Sequence, residues 1–250
     1  MEKIEKKENR FGLLGKNISY SFSEGYFTKK FQDLGLTDHS YENFDLSEIS
    51  EFEKLVFQNK LRGLNVTIPY KEQVIPFLSD MDPKAEQIGA VNTIKFTENG
   101  LIGFNTDAHG FQKSLEPFLK PHHKKALVLG TGGASKAVCF VLDELGIANT
   151  YVSRTKTGEQ FTYQELNKEI MEANTLIVNC TPLGTYPNIT DKPNLPYRYI
   201  SDKHLLFDLI YNPAKTAFLK TGESYGASIC NGLKMLELQA EKAWEIWNAP

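Results

Sequence analysis

Cysteine is scarce: three residues in 250, at positions 139, 180 and 230. They are odd in number, far apart and without metal-ligand spacing, which argues against a disulfide framework or a cysteine zinc site. Cys139 and Cys180 stand beside apolar residues, as small buried side chains do. The five histidines form no H-x-x-x-H set, so no metal is expected. Long apolar runs are missing as well. No stretch of 18 apolar residues occurs, and the start, MEKIEKKENR, is charged where a signal peptide would be apolar. That start reads as a frayed arm ahead of the first strand. Basic blocks and aromatic-interleaved basic stripes are absent and the net charge is −3, so nucleic acid is not an expected partner. No internal repeat or low-complexity tract is visible. The expectation is a cytoplasmic globular protein acting on small molecules away from membranes. Its 41% hydrophobic and 24% charged residues suffice for a packed core.

One large domain or two small ones would fit this length, and the periodicity favours two. FGLLG (11–15) reads as a strand. Phe27, Phe31 and Leu34 then fall at helical spacing, with Gly35 placed to end the helix. YENFDL (41–46) alternates like a strand; Ile49, Phe52, Leu55 and Val56 share a helical face; GLNVTIP (63–69) is strand again. This β-α-β-α-β order predicts a partly parallel sheet. AVNTIKF (90–96) and LIGFNTD (101–107) predict a hairpin turning on Asn99-Gly100. After Asp107 comes a basic linker, LKPHHKK (119–125), and then ALVLGTGGASKAVCFVLDELG (126–146), an apolar strand, a glycine-rich turn and an amphipathic helix. NTYVSRT (149–155), TLIVNCTPLG (175–184) and LLFDLIY (205–211) supply further strands. NGLKMLELQAEKAWEIW (231–247) reads as one amphipathic helix. The fold class is α/β in two domains, with the boundary near residues 107–124.

The strand–turn–helix at Gly130, Thr131, Gly132, Gly133 and Ala134 is a dinucleotide-binding arrangement. Glycines let the turn be tight and let backbone N–H groups approach a pyrophosphate at the helix N-terminus. The end of the next strand selects the cofactor. An acid there holds the ribose 2′-hydroxyl of NAD, but this chain has Ser153, Arg154 and Thr155 followed by a lysine. A guanidinium flanked by hydroxyls suits a 2′-phosphate, which predicts NADP(H) over NAD.

A carbonyl reduced by that cofactor needs a proton from a positioned acid. Lys71, after the GLNVTIP strand, is a candidate, and Asp107 could accept a hydrogen bond from substrate or lysine. Asn65, Thr67, Asn92, Asn105 and Thr106 cluster near strand ends, where amides and hydroxyls could bind a polyol. Gln239 shares a helical face with Met235, Leu236, Ala243 and Ile246, an odd place for an amide without a partner.

Taken together, NVTIPYK (65–71), GAVNTI (89–94), GFNTD (103–107), GTGGASKA (130–137), SRT (153–155), NCTPLG (179–184), FDLIYNPAKTAFL (207–219) and NGLKMLELQA (231–240) resemble, in order, the signatures of the shikimate/quinate dehydrogenase family. They span nearly the whole chain. The resemblance implies NADPH-dependent, reversible reduction of 3-dehydroshikimate to shikimate, a step of aromatic amino-acid and chorismate biosynthesis. It implies an N-terminal α/β substrate domain (1–106 and 232–250), with the last helix returning to it, and a Rossmann-type NADP domain (107–231). Lys71 and Asp107 would flank the reacting oxygen, and Thr67 and Asn92 would touch ring hydroxyls. Tyr211 and Gln239 would join the substrate site, while Thr181 and Gly232 would complete the cofactor site. The resemblance leaves monomer and homodimer both open.

The family's first signature runs roughly G-x-P-x-x-x-S-x-S-P, and its two serines bind the substrate carboxylate. Here Ser21 and Ser23 remain, but Asn17 and Glu24 stand where the prolines would be. Loss of proline is expected to loosen the loop, and Glu24 could sit near a bound carboxylate. Two kinds of alternative stay open. One is another NADP dehydrogenase of the same plan, acting on both quinate and shikimate or on methylenetetrahydrofolate. The other is a non-catalytic sensor of shikimate-pathway metabolites.

Overall fold

The computed structural model describes residues 8–18 and 21–249. Residues 1–7 of the expected N-terminal arm lie outside the described residues. The chain divides into two compact units, Met1–Thr106 with Ala240–Pro250, and Asp107–Gln239.

In the first unit, β1 (Asn9–Gly15), α1 (Phe22–Asp33), β2 (His39–Asp45), α2 (Phe52–Gln58) and β3 (Gly63–Val66) follow one another as the periodicity predicts. Next come α3 (Tyr70–Gln73), β4 (Asp80–Met81), α4 (Pro83–Ile88), β5 (Thr93–Thr97) and β6 (Gly100–Phe104). The sheet order is β2-β1-β3-β5-β6-β4. β1 runs parallel to both β2 and β3, while β5 is antiparallel to β3 and β6. Alternation along β1 sends its side chains to two cores. Phe11 and Leu13 join Phe27 and Phe31 of α1, and Leu14 joins Leu64, Ile94 and Phe52. The hairpin forms, but its loop residues are Glu98-Asn99, because Thr97 pairs with Gly100. Gly100 takes the positive φ, 122°, just after the loop.

The second unit holds α5 (Thr106–Leu115), β7 (Lys125–Leu129), α6 (Gly133–Glu144), β8 (Ala148–Ser153), β9 (Phe161–Thr162), α7 (Lys168–Ala173) and β10 (Leu176–Asn179). It continues with β11 (Leu205–Asp208), α8 (Ala217–Ser224), β12 (Ser228–Cys230) and α9 (Leu233–Asn248), whose last residues belong to the first unit. All its strands are parallel, in the order β12-β11-β10-β7-β8-β9. Counted within the unit, that is the 3-2-1-4-5-6 order of a doubly wound dinucleotide fold, whose strand order reverses between β7 and β10. Fully buried Leu127, Leu129, Ile177 and Leu206 make the near-continuous apolar runs that a parallel sheet covered on both faces requires.

The tail of α9 packs within the first unit. Trp247 lies 4.9 Å from Phe11 and 5.3 Å from Phe27, ring to ring, and its indole N–H donates to the Ile94 carbonyl at 3.0 Å. A buried indole fits a core when its N–H finds such a partner. Lys30 of α1 pairs with Glu241 of α9 at 2.6 Å, and Tyr26 donates to the same carboxylate. The compact units therefore divide part-way along α9, whereas the sequence places the return at residue 232. Among the described residues no helix is long and apolar enough to cross a membrane.

Candidate functional site

In the first unit the polar candidates form one buried network. Asn65 and Thr93 are register partners on β3 and β5. The Asn65 amide donates to Thr93 Oγ1 at 3.2 Å and to the Asn92 carbonyl at 3.4 Å, and its Oδ1 accepts from the Tyr41 phenol at 2.8 Å. Asn92 Oδ1 accepts from the Thr106 N–H at 2.7 Å, and its Nδ2 donates to Thr106 Oγ1 at 3.0 Å. Thr93 and Thr106 hydroxyls stand 3.2 Å apart. Asn65, Asn92, Thr93 and Thr106 are all buried. Leaving any of their groups without a partner would cost about 1–3 kcal/mol, so the network holds each amide in one orientation. Asn105 donates to the Ala90 carbonyl at 2.8 Å, which ties the end of β6 to the segment before Asn92.

Lys71 is not at the strand end. Residues 67–69 turn the chain after β3, and Lys71 lies in the one-turn helix α3. Its main chain is anchored on both sides. The Val91 N–H donates to the Lys71 carbonyl at 2.7 Å, and buried Tyr70 donates through its hydroxyl to the Leu46 carbonyl at 2.7 Å. Thr67 begins this turn, donating its N–H to the Leu14 carbonyl at 2.8 Å.

At the start of α1, Ser21 is the N-cap and its hydroxyl accepts from the Ser23 N–H at 3.1 Å. Ser23 is buried, as is Tyr41, whose phenol pKa burial raises. Glu24 is exposed, and its carboxylate accepts from the Asn43 amide on β2.

In the second unit the dinucleotide candidates sit at the C-terminal ends of β7, β8 and β10, which are neighbours in the sheet. Gly130 has φ 96°, and a Cβ there would come within 3.1 Å of the Thr181 methyl, so only glycine suits the turn. Gly132 caps α6, and a Cβ added to it would meet nothing within 4 Å. Ser135, one turn in, donates to the Gly132 carbonyl at 2.6 Å and braces the loop from behind. At the end of β8, Ser153 donates to the Thr155 carbonyl. Exposed Arg154 makes no ion pair or side-chain hydrogen bond among the described residues. Lys156 pairs with Glu165, an ion pair that holds the Glu165 carboxyl down at about 2.

Beneath the end of β10, Asn179 Oδ1 accepts from the Thr181 hydroxyl at 2.7 Å and its Nδ2 donates to Asp208 at 3.0 Å. The fully buried Asp208 also accepts from the Ile210 N–H and the Thr216 hydroxyl. Burial pushes its pKa up to about 6, against the pull of those hydrogen bonds. Tyr211 follows β11, with its phenol pKa raised by burial. Gly232 must lack a side chain, since a Cβ would lie 2.0 Å from the Leu209 carbonyl oxygen. Asp107 occupies the first turn of α5, one turn before Gly110. A Cβ on Gly110 would meet the Met235 carbonyl at 2.5 Å and Gln239 Cβ at 3.2 Å, so α5 and α9 touch closely near Gln239.

Sequence reading missed Tyr41, Thr93, Ser135, Asn179, Asp208 and Thr216. Asn179 and Asp208 carried a usable signal, for each is the polar last residue of an otherwise apolar strand run. Tyr41 and Thr93 carried none, because both suit an ordinary strand.

Both units match one family. A sequence model described as the shikimate dehydrogenase substrate binding domain matches residues 13–94. The chain is 39% identical to a shikimate dehydrogenase (NADP(+)) of Clostridium beijerinckii, over 95% of this chain and 91% of that relative. This chain belongs to the shikimate dehydrogenase family. The family structure from Aquifex aeolicus has a TM-score of 0.86 at 32% identity, covering 100% of this chain and 96% of its own. A Thermus thermophilus shikimate dehydrogenase, solved in complex with NADP(H) and shikimate, has a TM-score of 0.84 at 33% identity, covering 96% and 93%.

The shikimate dehydrogenase signature places proline where this chain has Asn17, and the local structure shows why proline would not serve here. Asn17 has φ 58° and donates its N–H to Asp45 Oδ1 at 2.8 Å; Ile18 donates to Asp45 Oδ2 at 3.3 Å. The expected loosening is offset by this carboxylate, which grips two successive N–H groups. Proline can neither reach that φ nor supply the N–H. Asn17→Pro should therefore cost more than about 1 kcal/mol, lowering Tm by roughly 2–4 °C or more for a chain of this size. Asn17→Gly should leave Tm nearly unchanged. Equal Tm values for the two variants in calorimetry would refute the latch.

Proposed function

We propose that this protein catalyses the reversible NADP-dependent reduction of 3-dehydroshikimate to shikimate. The observation that carries the reading is the family likeness over both units, including a relative solved with NADP(H) and shikimate. The residues present fit the cofactor. Gly130 supplies the tight turn, the space beside Gly132 leaves the backbone open to a pyrophosphate at the start of α6, and Arg154 offers an unpaired guanidinium for a 2′-phosphate. Thr131, Gly133, Ala134, Ser153, Thr155, Thr181 and Gly232 complete the cofactor contacts. When bound, NADP(H) supplies or takes the hydride. The second unit serves as the cofactor domain and the first unit, which takes in the tail of α9, as the substrate domain.

On the substrate side, Ser21 and Ser23 bind the carboxylate. Asn65, Thr67 and Asn92 hold the ring hydroxyls, with Tyr211 and Gln239 joining them. The Asn65–Thr93–Thr106–Asn92 network keeps those amides and hydroxyls oriented before a polyol arrives, so little ordering remains to be done on binding. Lys71 and Asp107 act on the reacting oxygen. Lysine gives a proton as the carbonyl becomes an alcohol and takes it back in the reverse direction.

Purified protein mixed with shikimate and NADP should show the absorbance rise of the reduced nicotinamide, with a larger kcat/KM for shikimate than for quinate. No rise while shikimate still binds would make the chain a metabolite sensor instead. A larger kcat/KM for quinate would move it to the quinate branch.

A further inference from the structure

Two of the proposed substrate motifs meet at a side chain that belongs to neither. β2 carries Tyr41 into the first unit's core, where the residue is 5% exposed. Its hydroxyl donates to Asn65 Oδ1 at 2.8 Å. Phe27 of α1 stacks on the phenol ring, with centroids 4.7 Å apart and planes 10° from parallel. Ser23 lies one turn earlier on the same face of α1 and is buried as well. Trp247 closes the pocket at 6.5 Å.

An amide can stand either way round, and its hydrogen bonds decide which. The Tyr41 proton fixes Oδ1 of Asn65 on the β2 side, so Nδ2 must face Thr93 and the Asn92 carbonyl. Resting on the functional reading above, we propose that Tyr41 is a positioning residue for the substrate. Its phenol fixes which way the Asn65 amide stands and holds that amide against the helix bearing Ser23. The carboxylate-binding serine and the hydroxyl-binding amide are thereby held at one spacing by one rigid ring.

Tyr41→Phe keeps the ring, its stacking and its volume while deleting the hydroxyl. The KM for shikimate should rise about fivefold, the size of one neutral hydrogen bond, while kcat and the KM for NADP stay within about twofold. In an Asn65→Ala background the same change should leave the shikimate KM where Asn65→Ala alone puts it. A drop in Tm with an unchanged shikimate KM would reduce Tyr41 to a core residue and overturn the proposal. Additive effects in the double variant, or equal rises in both KM values, would overturn it too. If the unmodified protein turns over no shikimate, the functional reading fails and this inference fails with it; an active parent with an unresponsive Tyr41→Phe variant refutes the positioning role alone.

Discussion

Lys71→Ala should lower kcat for shikimate oxidation by about 10²- to 10⁴-fold, the usual worth of a positioned general acid or base, and leave the protein folded. The main chain at this position is held by other residues. Val91 donates to the Lys71 carbonyl, Val74 closes the α3 turn onto the Tyr70 carbonyl at 2.9 Å, and the buried Tyr70 is tied to Leu46. Alanine is the best helix former, so the one-turn helix gains rather than loses local preference. A near-unchanged Tm beside a collapsed kcat would separate chemistry from stability. If KM rises while kcat stays within threefold of the parent, Lys71 serves binding and not proton transfer. If both are unchanged, it is an ordinary solvated lysine.

That residue also shows how far the sequence could be read. The alternation in NVTIP places a strand correctly, but nothing in those residues tells where the strand stops. β3 ends at Val66 and the lysine rides on a helix of four residues, too short to leave a 3.6-residue rhythm. For the same reason β4 and β9, two residues each, left no pattern. The long elements were legible because their cores are. Of the apolar face read from Ala134, Ala137, Val138, Val141, Leu142 and Leu145, the middle four are buried against the core and the two ends are half-buried, and the glycine turn follows a four-residue apolar run. What periodicity does not encode is pairing across the sheet. Asn65 and Thr93 are 28 residues apart, and only the register of β3 against β5 makes them hydrogen-bond partners. Proline rules likewise marked the serine loop as loosened, since the Asp45 carboxylate that grips it arrives from another strand.

Arg154 is where sequence and structure together give a sharp cofactor prediction. Two cations follow β8, and they are not equivalent. Lys156 is paired to Glu165, whereas Arg154 is exposed and carries no ion pair among the described residues. The hydrogen bond from Ser153 to the Thr155 carbonyl holds the backbone on either side of the arginine, so its guanidinium projects from a fixed turn. A planar fork of donors can grip a phosphate dianion with two charge-assisted hydrogen bonds, each stronger than a neutral one. Arg154→Ala should therefore lower kcat/KM for NADP by about 10- to 100-fold, equivalent to the 1.5–3 kcal/mol of a hydrogen bond to a charged group. The value for NAD, which has no 2′-phosphate, should stay within about twofold, and Tm should hardly move because an exposed, unpaired side chain contributes little to stability. Lys156→Ala should affect NADP far less. Parallel losses with both cofactors would mean that Arg154 supports the turn and not the phosphate. An unmodified protein equally efficient with NAD and NADP would remove the basis for the cofactor assignment altogether.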